Sequence, residues 1–133
     1  MIYTTYFAQL RNLPSHIIPI SICGKAPAWY GGLQYKKLAP KYDFFVEWRK
    51  NNDNDYYIKC FNERVLSALN ANSVVKELDT MMIGFATSLR YHSLNTPKIA
   101  LVCYEKPTDF CHRHLVADWL RQNGFECEEW MKG

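Results

Sequence analysis

The stretch Lys98–Gly124, "KIALVCYEKPTDFCHRHLVADWLRQNG", decides the fold. Its first part, Ile99 to Cys103, is an unbroken apolar run of strand length. Runs without polar alternation suit a strand covered on both faces, as in parallel sheets flanked by helices. Its second part is amphipathic, with Leu115, Val116, Trp119 and Leu120 recurring at helical spacing. Thr108 is placed to cap this helix and Gly124 to end it. A buried strand leading into such a helix is half of a βαβ unit.

Elements of the same two kinds extend in both directions. Ile2 to Phe7 is β-branched and aromatic and reads as a strand, and Ile17 to Ile22 as another. Pro19 marks the start of the second as a strand entry or an edge, because proline donates no ladder hydrogen bond. "KYDFFVEWRK" predicts a helix, with Phe44, Phe45 and Trp48 on one side and "NNDND" closing it. Asp55 is taken as the cap of the next helix, whose core stripe is Tyr57, Phe61, Val65, Ala68 and Leu69. "ANSVVKELDTMMIGFATSL" continues the helix up to Leu89, after a break near Asn70 to Ser73, with Gly84 weakening its end. "FECEEW" supplies a last short strand. The expected architecture is a single-domain α/β protein over residues 1–133, a three-layer sandwich with a mainly parallel, Rossmann-like sheet.

Composition sets the outer limits. The chain of 133 residues is 48% hydrophobic, enough for one core without staples. Sixteen Lys and Arg against 13 Asp and Glu leave a net charge of +3, which ranks nucleic acid below small molecules as a partner. No segment approaches the roughly 18 apolar residues of a membrane span. The start of the chain has neither a basic leader nor a continuous apolar segment, so a cytoplasmic protein is expected. Five cysteines, at positions 23, 60, 103, 111 and 127, are odd in number and scattered, which does not suggest a disulfide framework.

In open parallel sheets, ligands bind beyond the carboxyl ends of the strands. Two loops leave strands there, "CGKAPAWYGG" after Ile22 and "CYEKPTDFCHR" after Val102, and they share one crevice if their strands are adjacent. Projected at about 100° per residue, His112 falls on the inner stripe of the last helix, flanked by Cys111 and Arg113, while His114 points to solvent. A cysteine in the first turn of a helix beside cationic side chains meets the conditions for a reactive thiolate. Free amides and Arg113 offer an anion cradle, and Glu105 and Asp109 can accept protons or orient a neighbour. The plainer readings stand beside these: Cys103 and Cys111 as core, His112 as a hydrogen-bonded buried histidine, Arg113 as a tie to a carboxylate. In the first loop, Lys25 can meet an anion, and Trp29 and Tyr30 can stack on a base or cover the core edge. A zinc site using Cys103, Cys111, His112 and Cys23 is disfavoured because no close C-x₂₋₄-C pair exists, so no metal and no cofactor are assigned.

"LVCYEKPTDFCHRHLVADWL" closely resembles the hallmark of the DUF488 family, in which a strand ends in C-x-E and a CHR triplet opens the final helix. "ISICGKAPAWYGGLQYKKLAPK" is similar to the family's N-terminal half, in a form found in bacteriophages and bacteria. The resemblance runs from Ile2 to Trp130. It implies an α/β domain whose motif positions here are Cys103, Glu105, Pro107, Cys111, His112 and Arg113. Many relatives carry arginine where this chain has Lys25; lysine keeps the charge but loses the bidentate fork.

These residues support three functional expectations. One is an enzyme acting on a small phosphorylated or nucleotide-like molecule, with Cys111 as nucleophile, His112 as acid/base, Glu105 as the orienting carboxylate, and Arg113 and Lys25 as anion clamps. Trp29, Tyr30, Cys103 and Asp109 line the same site. The second is a binding module that captures a nucleotide-derived ligand unchanged. The third, a nucleic-acid or protein interaction module, ranks last on charge.

Overall fold

The computed structural model describes residues 1–88 and 95–132. Its sheet has five parallel strands: β1 (Ile2–Tyr6), β2 (Ile17–Ser21), β3 (Leu33–Gln34), β4 (Lys98–Cys103) and β5 (Cys127–Glu129). They lie in the order β3-β2-β4-β1-β5, every pair parallel. The helices are α1 (Tyr42–Asn51), α2 (Asn54–Arg64), α3 (Ala71–Ser88) and α4 (His112–Gln122). The architecture is a Rossmann-like α/β sandwich, as the Lys98–Gly124 stretch implies.

β4 is central because it is the most apolar strand, and Ile99 to Cys103 are all buried between β1 and β2. The register aligns Ile18 with Ile99, Ile20 with Leu101, Ile2 with Ile99 and Ile2 with Cys127. With side chains alternating across the strands, these residues share one face. They join Val116, Ala117 and Leu120 of α4 in the main core. Pro19 is accommodated as expected. β3 pairs only with Ile20 and Ser21, so β2 is still an open edge where proline would leave a ladder bond unmade.

α1 and α2 pack against each other through rings. Phe44 meets Tyr57 at 5.2 Å, Trp48 meets Tyr57 at 5.6 Å, and Tyr57 stacks on Phe61 at 6.1 Å. The expected α2 stripe holds for Tyr57, Phe61 and Val65, but Ala68 is exposed and Leu66 is buried instead. The cause is a short 3-10 turn at Leu66–Ala68, which rotates the chain off the α-helical face before α3. Asn70 restarts the helix by accepting from the Ser73 amide at 3.0 Å, and α3 runs through Gly84 to Ser88. Leu89 lies outside the described residues.

Two caps differ from expectation. α2 is capped by Asp53, not Asp55: Asn52 adopts the left-handed conformation (φ 54°), and Asp53 Oδ1 then accepts from the Tyr56 amide at 3.1 Å. Asp55 falls in the first turn. α4 starts later than Thr108 would dictate, with Cys111 at the cap position and no side-chain capping bond. Its end is as read. Gly124 takes φ 89°, a conformation favouring glycine, and the Phe125 amide reaches back to the Leu120 carbonyl at 3.0 Å.

The capping geometry gives a direct test. Asp53→Ala should cost about 1 kcal/mol of unfolding free energy, and Asp55→Ala only a few tenths, read from urea denaturation midpoints. Equal losses would contradict this assignment of the cap.

Candidate functional site

β2 and β4 are adjacent and parallel, so the loops after them do meet beyond the carboxyl edge of the sheet. The Tyr104 hydroxyl donates to the Lys25 carbonyl at 2.8 Å, and His112 Nε2 lies 2.8 Å from the Ile22 carbonyl. Phe7, Cys23, Val102, Cys103 and Cys111 form a second buried cluster beneath the junction.

Aromatic packing seats the start of α4. Phe110, just before the CHR triplet, lies edge-on to Tyr57 at 5.0 Å and against Trp48 at 5.5 Å. Phe61 abuts the His112 ring at 5.6 Å. The α1–α2 ring stripe thus holds both residues that flank Cys111. Because a carbonyl oxygen can only accept, His112 Nε2 must be the protonated nitrogen, which leaves the Nδ1 lone pair free. That Nδ1 is 3.9 Å from Cys111 Sγ. Burial, reinforced by the positive charge of Arg113, holds the His112 pKa down to about 4.

Arg113 has no exposed surface. Its Nε and Nη2 bind the two carboxylate oxygens of Glu129 at 3.1 and 2.9 Å. Its Nη1 reaches the Glu105 carbonyl at 2.5 Å and Cys103 Sγ at 3.1 Å, and its guanidinium carbon lies 5.7 Å from the Tyr6 ring centroid. Of the two readings open for Arg113, these contacts are those of a tie between elements. Glu129 was not legible as its partner, since it sits 16 residues away on β5. The register that brings it in is set by β1, whose Thr4 also donates to Glu129 at 2.7 Å.

Cys103 and Cys111 are bonded to each other through sulfur, with Cα atoms 7.4 Å apart. Sequence spacing gave no hint of this pairing, because the loop between them is brought back by Phe110 and Arg113. Cys23, Cys60 and Cys127 are free and buried. Burial pushes the Cys23 thiol up to about 12, so Cys23 is an inert member of the cluster. The ligating atoms of Cys103, Cys111 and His112 all lie within 4.8 Å of one another, so three of the four residues weighed for zinc are brought together although their spacing in sequence argued against a site.

The remaining candidates are dispersed. Glu105 is half-buried, with Oε2 4.0 Å from Cys103 Sγ. Asp109 is exposed on the loop. His114 departs from expectation: it is half-buried rather than solvated, and its Nε2 is enclosed without a hydrogen-bond partner. Its neighbourhood of burial and Arg113 lowers its pKa. Tyr30 spends its hydroxyl on the Leu33 carbonyl at 2.6 Å, under Gly32, where an added Cβ would come within 2.7 Å of that hydroxyl. Lys25 and Trp29 are exposed. Tyr104, which sequence reasoning passed over, is 48% exposed, and both it and Trp29 (65% exposed) pack against the buried Phe7 ring, at 5.0 and 5.9 Å. Cavities of about 440 Å³ beside Ile58, Leu66, Leu115 and Trp119, and of about 410 Å³ beside Asp43, Glu47 and Tyr56, lie away from this junction. No described helix is long and apolar enough to cross a membrane.

A parallel α/β sheet with cysteine, histidine and arginine gathered where its last helix begins defines the class of protein. The chain belongs to the DUF488 family: the family model described as the active DUF488-N3 subclade matches residues 8–124. No curated protein and no solved structure matches the chain significantly.

The Arg113–Glu129 pair yields a stability prediction. Removing one partner of a buried pair leaves an uncompensated charge, which typically costs about 3–5 kcal/mol. Glu129→Ala should destabilise by about that much in urea unfolding. Asp118→Ala, which breaks the exposed pair with Arg121, should leave the midpoint unchanged. Similar small effects from both would mean that Arg113 is solvated.

Proposed function

We propose that the protein binds a small anionic, nucleotide-like ligand at the junction of the loops after β2 and β4, with a reaction centred on Cys111 in its reduced state. The observation that carries this reading is the pair of exposed rings, Trp29 and Tyr104, braced on Phe7 at the carboxyl edge of the sheet, with the exposed Lys25 tied in through its carbonyl, which accepts from the Tyr104 hydroxyl. Exposed rings held by a buried one offer a stacking surface for a planar base, and Lys25 a partner for its phosphate. Beneath them, Nδ1 of His112 is the unprotonated nitrogen facing Cys111 Sγ, the arrangement a general base needs to activate a thiol. Glu105 and Asp109 lie on the same loop, Glu105 as an orienting carboxylate. Arg113 acts here by positioning α4. Non-catalytic capture of the same ligand is the competing outcome, and it requires the same surface.

The test is a tryptophan-fluorescence titration with adenosine monophosphate under reducing conditions. Trp29→Ala and Tyr104→Ala should each weaken binding by a factor corresponding to about 1–3 kcal/mol, the worth of one stacked base. Lys25→Ala should weaken it and flatten its salt dependence. Binding that ignores all three substitutions would reject the site. With turnover measured on the bound ligand, Cys111→Ser should abolish reaction and leave affinity unchanged; ligand recovered intact from the wild type would instead mean capture.

A further inference from the structure

The cluster under the stacking surface carries a second function that does not depend on the ligand above it. We propose that the reduced pair Cys103 and Cys111, together with Nδ1 of His112, binds one divalent cation of the zinc class. Three potential donors, two sulfurs and an imidazole nitrogen, lie within 4.8 Å of one another, and all three residues are buried. Around an ion with Zn–S of about 2.3 Å and Zn–N of about 2.0 Å, tetrahedral donors sit roughly 3.5–3.8 Å apart. Cys111 Sγ and His112 Nδ1, at 3.9 Å, are already close to that separation. The sulfurs must move apart on reduction, and the backbone leaves room for it. The two Cα atoms are 7.4 Å apart, beyond the spacing of about 4.4–6.8 Å usual for a directly bonded pair.

The outer contacts match what metal sites require. A ligating histidine nearly always donates its other ring N–H to a carbonyl or carboxylate, which fixes the ring and frees the coordinating nitrogen. His112 does this through Nε2 to the Ile22 carbonyl at 2.8 Å. A metal-bound thiolate is steadied by a charged donor, and Arg113 Nη1 lies 3.1 Å from Cys103 Sγ. Arg113 keeps Glu129 as its own counter-charge, so it supplies a hydrogen bond without leaving the site with excess positive charge. Soft thiolates with one imidazole select zinc-like ions over magnesium or calcium, which prefer oxygen. The fourth position falls to water or to Glu105, whose Oε2 is 4.0 Å from Cys103 Sγ.

The chemistry balances. A trialkylphosphine reduces the disulfide, taking the oxygen of one water to become the phosphine oxide and leaving two thiols. The cation then displaces both thiol protons to form two metal–thiolate bonds, with no further change in oxidation state.

The experiment uses the full chain, reduced with a trialkylphosphine without oxygen and titrated with Co²⁺ as a spectroscopic stand-in for Zn²⁺. One equivalent should bind, with a near-ultraviolet thiolate-to-cobalt band and the visible bands of a tetrahedral ion, and Zn²⁺ should bleach both. Native mass spectra should show one zinc in place of two protons. Cys103→Ser and Cys111→Ser should each lose the charge-transfer intensity of one thiolate, and His112→Asn should shift the visible bands. Cys60→Ser, remote from the cluster, should change nothing. Absence of the thiolate band in reduced, folded wild type overturns the proposal, as does a band of undiminished intensity in folded Cys103→Ser and Cys111→Ser. The wild-type spectrum decides the matter even where a variant does not fold. Loss of nucleotide binding has no bearing on it, because the cobalt titration contains no nucleotide.

Discussion

A guanidinium without exposed surface is the constraint on which the functional end of this molecule depends. Arginine keeps its charge in the protein interior, so the fold must supply both a counter-charge and acceptors for the rigid fork of donors. It does so with parts of four segments: Glu129 from β5, Cys103 from the end of β4, the Glu105 carbonyl from the following loop, and the Tyr6 ring from β1. β5 has only three residues, too few to hold its place by ladder bonds alone. The Glu129 fork gives that short edge strand a specific register. Because Arg113 is fixed from its far side, the two residues before it are fixed as well, and Cys111 and His112 arrive at the strand ends in a single orientation.

The apolar side of the same junction works by shape. Rings from α1 and α2 form a continuous wall, and Phe110 and His112 press into it from opposite sides of Cys111. Burial there keeps the imidazole neutral, and the Ile22 carbonyl chooses which nitrogen carries the proton. The free lone pair therefore faces Cys111 Sγ because of one backbone contact from Ile22, the residue that follows β2. The sheet order makes that contact possible, since β2 and β4 are neighbours although about 80 residues separate them in sequence.

Periodicity made the scaffold legible. The unbroken run at Ile99 to Cys103 and the helical stripe ending at Leu120 are long signals, and both elements form where their patterns put them. Caps were harder, because "NNDND" offers several side chains able to accept a backbone bond; the left-handed turn at Asn52 decides among them, and that choice is made by backbone geometry. Helical projection placed His112 correctly on the inner face. It failed for His114, because projection on a lone helix cannot include the neighbouring segments that half-bury that ring. The Glu129 partner, the joined sulfurs and the exposed Tyr104 ring have one origin in common. Each depends on which distant segments meet at the strand ends, and local spacing does not encode it.

The commitment of Arg113 to the interior also changes what kind of ligand the open face can favour. An anion arriving at the junction meets the charge of Lys25 at the surface, where solvent and salt weaken it. It does not meet the buried arginine fork, whose donors already serve Glu129. Lysine, moreover, grips a phosphate as a point charge and cannot bracket it through two parallel hydrogen bonds. The rings face no such screening: Trp29 and Tyr104 are held in place by Phe7 and keep much of their surface exposed. On the ligand reading proposed above, affinity then comes chiefly from stacking and only secondarily from charge. Such a surface selects a planar aromatic group with modest negative charge over a compact, densely charged phosphate, and it does so without the enclosing cavity that the second kind of ligand would need.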